Sequence, residues 1–300
     1  MNDRRKVQVI GVPFWKGCGR RGAELGPKGV LQAGLEDLVA AAGAEWAGSV
    51  EAKPHVPSGT RAEQGPIRHL TEVRRMASAV ADRVSRAHDA GCFPLVVGGD
   101  HSVAIGSLAG MTRRRRDLGV VWIDAHGDLN TERTTPSGRA HGIPLAVALG
   151  QAEWKLSALP DAAPIRPDRL VLVGTRDLDP GERELIRAEG IACLTMRDID
   201  REGIEAVMER ALAIAGRGSE GVHVSLDMDA LDPIEAPGVG TPVPGGLSYR
   251  EARMAMETLA ASGRAVSMDL VEVNPRLDPS GRTARLAAEL AAALLGRRLL

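Results

Sequence analysis

Short runs of aliphatic and β-branched residues alternate along this chain with longer stretches rich in Ala, Leu, Glu and Arg. The runs Val7–Val12, Leu95–Val97, Val120–Ile123, Leu170–Val173, Ile191–Thr195, Val222–Leu226 and Val266–Val273 read as strands. Between them, Pro27–Ala42, Ile67–Ala90, Ser102–Arg116, Gly181–Ala188, Ile204–Ala215, Tyr249–Ala261 and Thr283–Leu295 read as helices. Several strand runs are apolar at every position, as expected where a parallel sheet is buried on both faces. The alternation predicts an α/β fold, a three-layer α/β/α arrangement around a mostly parallel central sheet. No serine-rich linker, internal repeat or low-complexity tract interrupts it, so residues 1–300 are expected to form a single domain. The least regular stretch, Val50 to Pro66, reads as a surface loop.

Composition narrows the chemistry. The chain is 44% hydrophobic but only 2% aromatic, so Ala, Val, Leu and Ile must fill the core. A net charge of −1 gives no general attraction to nucleic acid or to an anionic membrane. The one basic cluster, Arg113-Arg114-Arg115-Arg116, reads as a solvated helix end. Cys18, Cys92 and Cys193 form no CxxC pair, which points to a reducing compartment. Cys92 and Cys193 read as small core residues, whereas Cys18, in a glycine-rich loop, is open to exposure. The apolar runs near both ends are too short for a signal-peptide core or a membrane span, so a cytoplasmic protein is expected.

Four strand ends carry acids or histidines. Leu95–Val97 runs into Gly98-Gly99-Asp100-His101, where the glycines are expected to permit a tight turn. Val120–Ile123 ends in Asp124, His126 and Asp128, residues two apart that share one face of an extended chain. Val222–Leu226 ends in Asp227 and Asp229, and the last strand in Glu272-Val273-Asn274-Pro275. Alone, His101 reads as a helix-start residue, Asp227 as a turn cap and Glu272 as half of an ion pair. Together, at the ends of parallel strands, they fall where ligands bind in open α/β sheets. Burying unpaired carboxylates is costly, and a cation explains them jointly. His101, Asp124, His126, Asp128, Asp227 and Asp229 form a ligand set without thiolate, which disfavours structural zinc or an iron–sulfur cluster. Two Mn²⁺ ions sharing Asp124 and Asp227 are the natural expectation, with Co²⁺, Ni²⁺, Fe²⁺ or Zn²⁺ as substitutes. Such a pair lowers the pKa of a bridging water. His55, His69, His88 and His223 lack companions at ligand spacing, and His223 reads as a residue of the core or of the metal's surroundings.

Gly98-Gly99-Asp100-His101-Ser102, Asp124-Ala125-His126-Gly127-Asp128 and Ser225-Leu226-Asp227-Met228-Asp229-Ala230-Leu231-Asp232-Pro233 resemble, in order, the three signatures of the ureohydrolases. The resemblance runs from Gly11-Val12-Pro13 to Glu272-Val273-Asn274-Pro275. The segment Asn130-Thr131 followed by Ser137-Gly138-Arg139-Ala140-His141-Gly142 is similar to the arginase branch, as is Arg176-Asp177-Leu178-Asp179-Pro180-Gly181-Glu182. The resemblance implies an arginase-like fold and dimanganese-dependent hydrolysis of L-arginine to L-ornithine and urea by a metal-bridging hydroxide. In that scheme Glu272 holds the guanidinium, Asp128 passes a proton to the leaving amine and His141 is the proton shuttle. Asp179 and Glu182 are implied at the substrate α-amino end, Asn130 and Ser137 at its carboxylate, and Thr241, in the Pro237–Pro242 loop, is also placed among the substrate-binding residues.

Arg139 departs from the arginase pattern, which usually has Asn there. Three outcomes stay open: a stronger charged contact with the α-carboxylate, a side chain turned to solvent, or a preference for another guanidino acid. The alternatives are therefore a relative acting on agmatine or guanidinobutyrate, and a metal-binding member of the fold that has lost catalysis. Gly98-Gly99 does not make the GxGxxG fingerprint of phosphate-binding α/β proteins, and no Walker lysine appears. The resemblance also implies a homotrimer or homohexamer, with Arg250, Glu251 and Glu257 at positions of inter-subunit ion pairs or, equally, as solvated helix charges.

Overall fold

The computed structural model describes residues 4–52 and 65–297. Among these residues eight strands form: Lys6–Val12 (β1), Glu45–Glu51 (β2), Phe93–Gly98 (β3), Gly119–Ile123 (β4), Leu170–Thr175 (β5), Ala192–Thr195 (β6), Val222–Asp227 (β7) and Ala265–Val271 (β8). They build one sheet in the order β2-β1-β3-β8-β7-β4-β5-β6, and every neighbouring pair is parallel. The helices of the first half are Gly26–Gln32 (α1), Leu35–Ala41 (α2), Leu70–Asp89 (α3), Ala104–Thr112 (α4) and Pro144–Leu149 (α5). Those of the second half are Pro180–Glu189 (α6), Met196–Glu202 (α7), Ile204–Ala215 (α8), Tyr249–Ala261 (α9) and Arg282–Leu294 (α10).

Strands β3, β4, β5 and β7 are buried at every position, which is why β3, β4 and β5 are almost wholly apolar, while β7 alternates apolar residues with His223, Ser225 and Asp227. Successive side chains nevertheless feed two separate cores. Val97, Val121, Ile123 and Leu226 pack with residues of α1, α2, α8, α9 and α10. Val96, Val120, Trp122 and Leu172 pack with α3, α4 and α5 on the other face. Each fully buried Val, Leu or Ile contributes about 1.5–3 kcal/mol relative to exposure, so two filled faces hold the three layers together.

The expected fold class is present, with local differences. β2 lies within or beside regions read as irregular; its burial alternates between exposed and half-buried, the mark of an edge strand with few β-branched residues. The loop expected over Val50 to Pro66 therefore starts inside β2, and residues 53–64, with His55, lie outside the described residues. The single helix expected over 27–42 is two, because Gly34 takes a left-handed conformation (φ 89°) between α1 and α2. α5 and α7, six and seven residues long, were too short to show a helical period.

The arginine run is not merely solvated. α4 ends at Thr112, and Arg113 pairs with Asp82 (2.7 Å) and Arg114 with Asp89 (2.6 Å), both on α3. Arg115 donates to His88 Nε2 (3.0 Å). Cys18 is buried rather than exposed, and Cys92 and Cys193 are half-buried rather than core. No helix among the described residues is long and apolar enough to cross a membrane.

Gly99 does not serve a left-handed turn. It is required by crowding: a Cβ there would sit 1.7 Å from the Phe14 carbonyl oxygen, beside the bond that Asp100 N donates to the same oxygen (3.0 Å). Gly99→Ala is therefore expected to cost about 1–3 kcal/mol or more, since backbone has to move. Gly142→Ala, where nothing lies within 4 Å of the new Cβ, should stay within about 0.5 kcal/mol. Urea denaturation of the two variants measures both, and equal midpoints would refute the crowding argument.

Candidate functional site

The strand order places β3, β8, β7 and β4 side by side, so their carboxyl ends deliver residues from four distant segments to one place. From β3 the chain passes through Gly98 and Gly99 to Asp100. The Asp100 carboxylate accepts from Gly17 N (2.8 Å), Cys18 N (3.1 Å) and Ser102 N (3.1 Å), which starts the 3₁₀ turn carrying His101. β4 stops at Ile123, so the three ligand types after it do not lie on an extended strand as expected. Asp124 instead folds the chain back by accepting from His126 N (2.7 Å), and Asp128 adopts a left-handed backbone (φ 52°). Asp227 does the same at the end of β7, accepting from Asp229 N (2.8 Å).

All six expected metal ligands meet. His101 Nδ1 lies 3.0 Å from Asp124 Oδ2, 3.1 Å from Asp128 Oδ2 and 3.1 Å from Asp227 Oδ2. One ring nitrogen cannot serve three carboxylates, and both His101 Nδ1 and Asp128 Oδ2 are buried without a hydrogen-bond partner. His126 Nδ1 lies 3.2 Å from Asp229 Oδ2 and 3.4 Å from Asp124 Oδ1. Two groups of ligand atoms result, His101–Asp124–Asp128 and Asp124–His126–Asp229, and Asp124 belongs to both. Asp227 joins the first through His101. Orphaned buried polar atoms in a set of imidazoles and carboxylates are what a divalent cation would satisfy.

The electrostatics agree. Burial, then the charges of Asp229 and Asp124, push the Asp227 carboxyl well above its ordinary range. Burial and Asp124 likewise raise Asp128, to about 6. Burial also opposes ionisation of Asp124, but His101 and His126 outweigh it and hold that carboxyl low. A set whose members cannot all ionise beside one another is short of positive charge.

Two supporting residues were given no role of their own: Trp122 was read as a strand position and Ser225 as the start of the third signature. Ser225 Oγ lies 2.8 Å from His101 Nε2, leaving Nδ1 to face the carboxylates. The Trp122 ring stacks on His101 (centroids 4.1 Å apart), and its indole N–H donates to Asp124 Oδ2 (3.1 Å). Each precedes an expected ligand by two residues, so the period-two rule that picked out the ligands could have found them.

Glu272, just past β8, also has a left-handed backbone (φ 64°). Such a conformation costs a non-glycine residue about 1–3 kcal/mol and must be imposed by its surroundings. Here Glu272 N donates to Gly99 O (2.7 Å), and Oε1 accepts from His101 N (2.9 Å). The same oxygen lies 3.1 Å from His141 Nδ1. Burial pulls the His141 pKa down, but the contact with Glu272 more than offsets it, and the net shift is upward.

Beside the cluster lies a cavity of about 190 Å³ lined by His141, Asp128 and every expected substrate-binding residue, Asn130, Ser137, Arg139, Asp179, Glu182 and Thr241. Not all of these side chains are free. Glu182 accepts from Leu129 N (3.0 Å) and Asp179 N (2.9 Å), tying the β4–α5 loop to the start of α6. Burial raises its pKa to about 7 against the pull of those two amides. Asn130 Nδ2 donates to Asp179 Oδ2 (2.8 Å), and Thr241 Oγ1 donates to Asp229 Oδ2 (3.0 Å). Ser137 Oγ accepts from Arg139 N (3.2 Å). His223 is fully buried in the sheet between Ser267 and Asp269; His69 precedes α3 and His88 lies near its end, and neither belongs to the ligand groups among the described residues.

Residues 5–296 match the family model described as "Arginase family". An arginase from Bacillus caldovelox is 43% identical over 99% of this chain and 100% of its own length. An arginase from Bacillus subtilis (strain 168) is 44% identical over 99% of both chains. The solved structure of the B. caldovelox arginase superposes with a TM-score of 0.93 at 42% identity, covering 99% of this chain and 100% of that one. The chain belongs to the arginase family.

Proposed function

We propose that this chain hydrolyses L-arginine to L-ornithine and urea, acting as a single catalytic domain over residues 1–300. The observation that carries the reading is the pair of ligand groups joined by Asp124, opening onto a cavity that holds His141 against Glu272. Four carboxylates and two neutral imidazoles carry four negative charges, which two divalent cations would balance. Mn²⁺ suits the carboxylate-rich set, with Co²⁺, Ni²⁺, Fe²⁺ or Zn²⁺ as substitutes. His101, Asp124, Asp128 and Asp227 would hold one ion, and Asp124, His126, Asp227 and Asp229 the other. When bound, the pair would acidify a water and stabilise charge developing at the guanidino carbon.

The chain's own residues supply the rest. Oε1 of Glu272 is taken up by His101 N and His141, which leaves Oε2, beside Gly240, to accept from the substrate guanidinium. Asp128 passes a proton to the leaving amine as the carbon–nitrogen bond breaks. His141, half-buried at the cavity wall, exchanges protons between that site and solvent. Asp179 and Glu182 are assigned to the α-amino end, and Asn130, Ser137 and Arg139 to the carboxylate. The reading extends to a homotrimer or homohexamer, whose mass light scattering would read directly. Arg250 is exposed on α9, whereas Glu251 caps that helix with Ser248 and Glu257 pairs with Arg253.

Urea release from L-arginine, agmatine and 4-guanidinobutyrate tests the substrate. Arginine is expected to be preferred; preference for agmatine, which has no carboxylate, would sink the assignment, and no urea from any of them would point to a non-catalytic member. Because Asp124 belongs to both ligand groups, Asp124→Asn should lower metal content at both positions, measured by elemental analysis after dialysis. Retention of two ions per chain would count against the shared ligand. His141→Ala should lower kcat by up to about a hundredfold with KM little changed. Glu272→Gln removes the charge that raises the His141 pKa, so the His141 ring should titrate at lower pH by NMR. An unmoved titration would mean that the 3.1 Å contact is electrostatically idle.

A further inference from the structure

Beneath the metal-ligand cluster a polar column runs down one face of the sheet into the core. His223, Ser225 and Asp227 alternate along β7 and so project from that face. On β8, Ser267 lies opposite His223 and Asp269 opposite Ser225. All five are buried, beside the core that Val96 and Trp122 share with α4. His223 Nδ1 lies 2.8 Å from Ser267 Oγ, and its Nε2 lies 3.1 Å from Asp269 Oδ2. Ser107 of α4 donates to the same oxygen (2.6 Å). Asp269 Oδ1, in contrast, is buried with no hydrogen-bond partner among the described residues. An unused oxygen on a buried carboxylate is costly and calls for a donor.

A spare donor sits one strand away. When His101 offers Nδ1 to a cation, its ring proton is on Nε2, which donates to Ser225 Oγ (2.8 Å). The Ser225 hydroxyl proton then needs an acceptor, and Ser225 Oγ makes no other hydrogen bond among the described residues. Its register partner is Asp269, on a strand about 4.8 Å away. The two side chains make no direct hydrogen bond, so one buried water is the natural bridge between the spare donor and the unused acceptor. We propose that Asp269 is a positioning residue of the metal centre: through Ser225 it holds the His101 ring with Nε2–H on the serine and Nδ1 toward the carboxylates. The inference rests on the metal site proposed above and extends it to a residue outside both ligand groups and the cavity lining. His223 and Ser107 occupy Oδ2, which leaves Oδ1 as the oxygen available to Ser225. A carboxylate acting through a serine makes the imidazole both better oriented and more basic as a ligand.

The test titrates the whole chain with Mn²⁺ and reads the free ion by EPR. The wild type is expected to bind two ions. Asp269→Asn keeps the side-chain shape and removes the charge; it should weaken one ion about tenfold and leave the other within about twofold. Ser225→Ala should weaken one ion to a similar degree. Adding Asp269→Asn to Ser225→Ala should then change little, because both break one chain of contacts. Equal weakening of both ions, weakening of neither, or an undiminished effect of Asp269→Asn in the Ser225→Ala chain would overturn the role of Asp269. A neutron structure of the wild type decides the matter even if Asp269→Asn does not fold. The Ser225 deuteron should point toward Asp269, and one aimed at His101 Nε2 would overturn the proposal. These readouts do not depend on turnover: no urea from arginine with the Asp269 effects intact would defeat the proposed function alone. A wild type that binds no ion would defeat the proposed metal site, and this inference with it.

Discussion

Four carboxylates buried within contact distance of two imidazoles impose the central constraint on this molecule. Stripping water from an ionised carboxylate costs several kcal/mol, and like charges packed together add to it. The fold offsets part of this with fixed donors, each placed on one oxygen. Asp124 Oδ1 takes the His126 amide, Asp227 Oδ1 the Asp229 amide, and Asp229 Oδ2 the Thr241 hydroxyl. Oxygens of Asp124, Asp128 and Asp227 are left converging on His101 Nδ1. That residual negative charge distinguishes a cation-binding cluster from a structural ion-pair network. It also explains why Trp122 and Ser225 are needed: a ligand that must wait for its ion has to be held in place by something else.

The same constraint accounts for where the backbone is strained. Asp128 and Glu272 are among only four non-glycine residues with positive φ among the described residues, and both are assigned to the chemistry. At Asp128 the left-handed turn swings a carboxylate back into the cluster that a straight strand would carry past it. At Glu272 it aims the side chain at the His101 amide and His141. The well-packed two-faced sheet beneath them can sustain such local costs, because the central strands are buried throughout.

Much of this was legible in the sequence because burial and metal ligation each leave a local pattern. Apolar or β-branched runs marked the central strands, and Asp and His at their ends marked the site. The edge strand β2 was not legible: an exposed strand of mixed residues has no need of an apolar pattern. Nor was the reason for Gly99, which depends on Phe14, a residue far away in sequence. The motif after β4 was found on the correct residues for an incomplete reason, since its ligands converge through a folded-back loop and not along an extended strand. Arg113 to Arg115 do follow a helix end at the surface as read, but their pairing with α3 was not legible because those partners lie outside any local window.

The strand order has a consequence in time. β3 and β4 follow one another in the chain, yet β8 and β7 lie between them in the sheet. A growing polypeptide emerges with His101, Asp124, His126 and Asp128 already made while the two strands that belong between them do not yet exist. The slot must stay open, or reopen, until the last third of the chain arrives and inserts as the middle of the sheet. Non-local parallel pairing of this kind is slow, because long loops must close before the contacts that reward them can form. Asp227, Asp229 and Glu272 therefore arrive with the strands that complete the core, and a partly synthesised chain cannot possess the reactive centre. Completion of the hydrophobic core and completion of the chemistry are the same event.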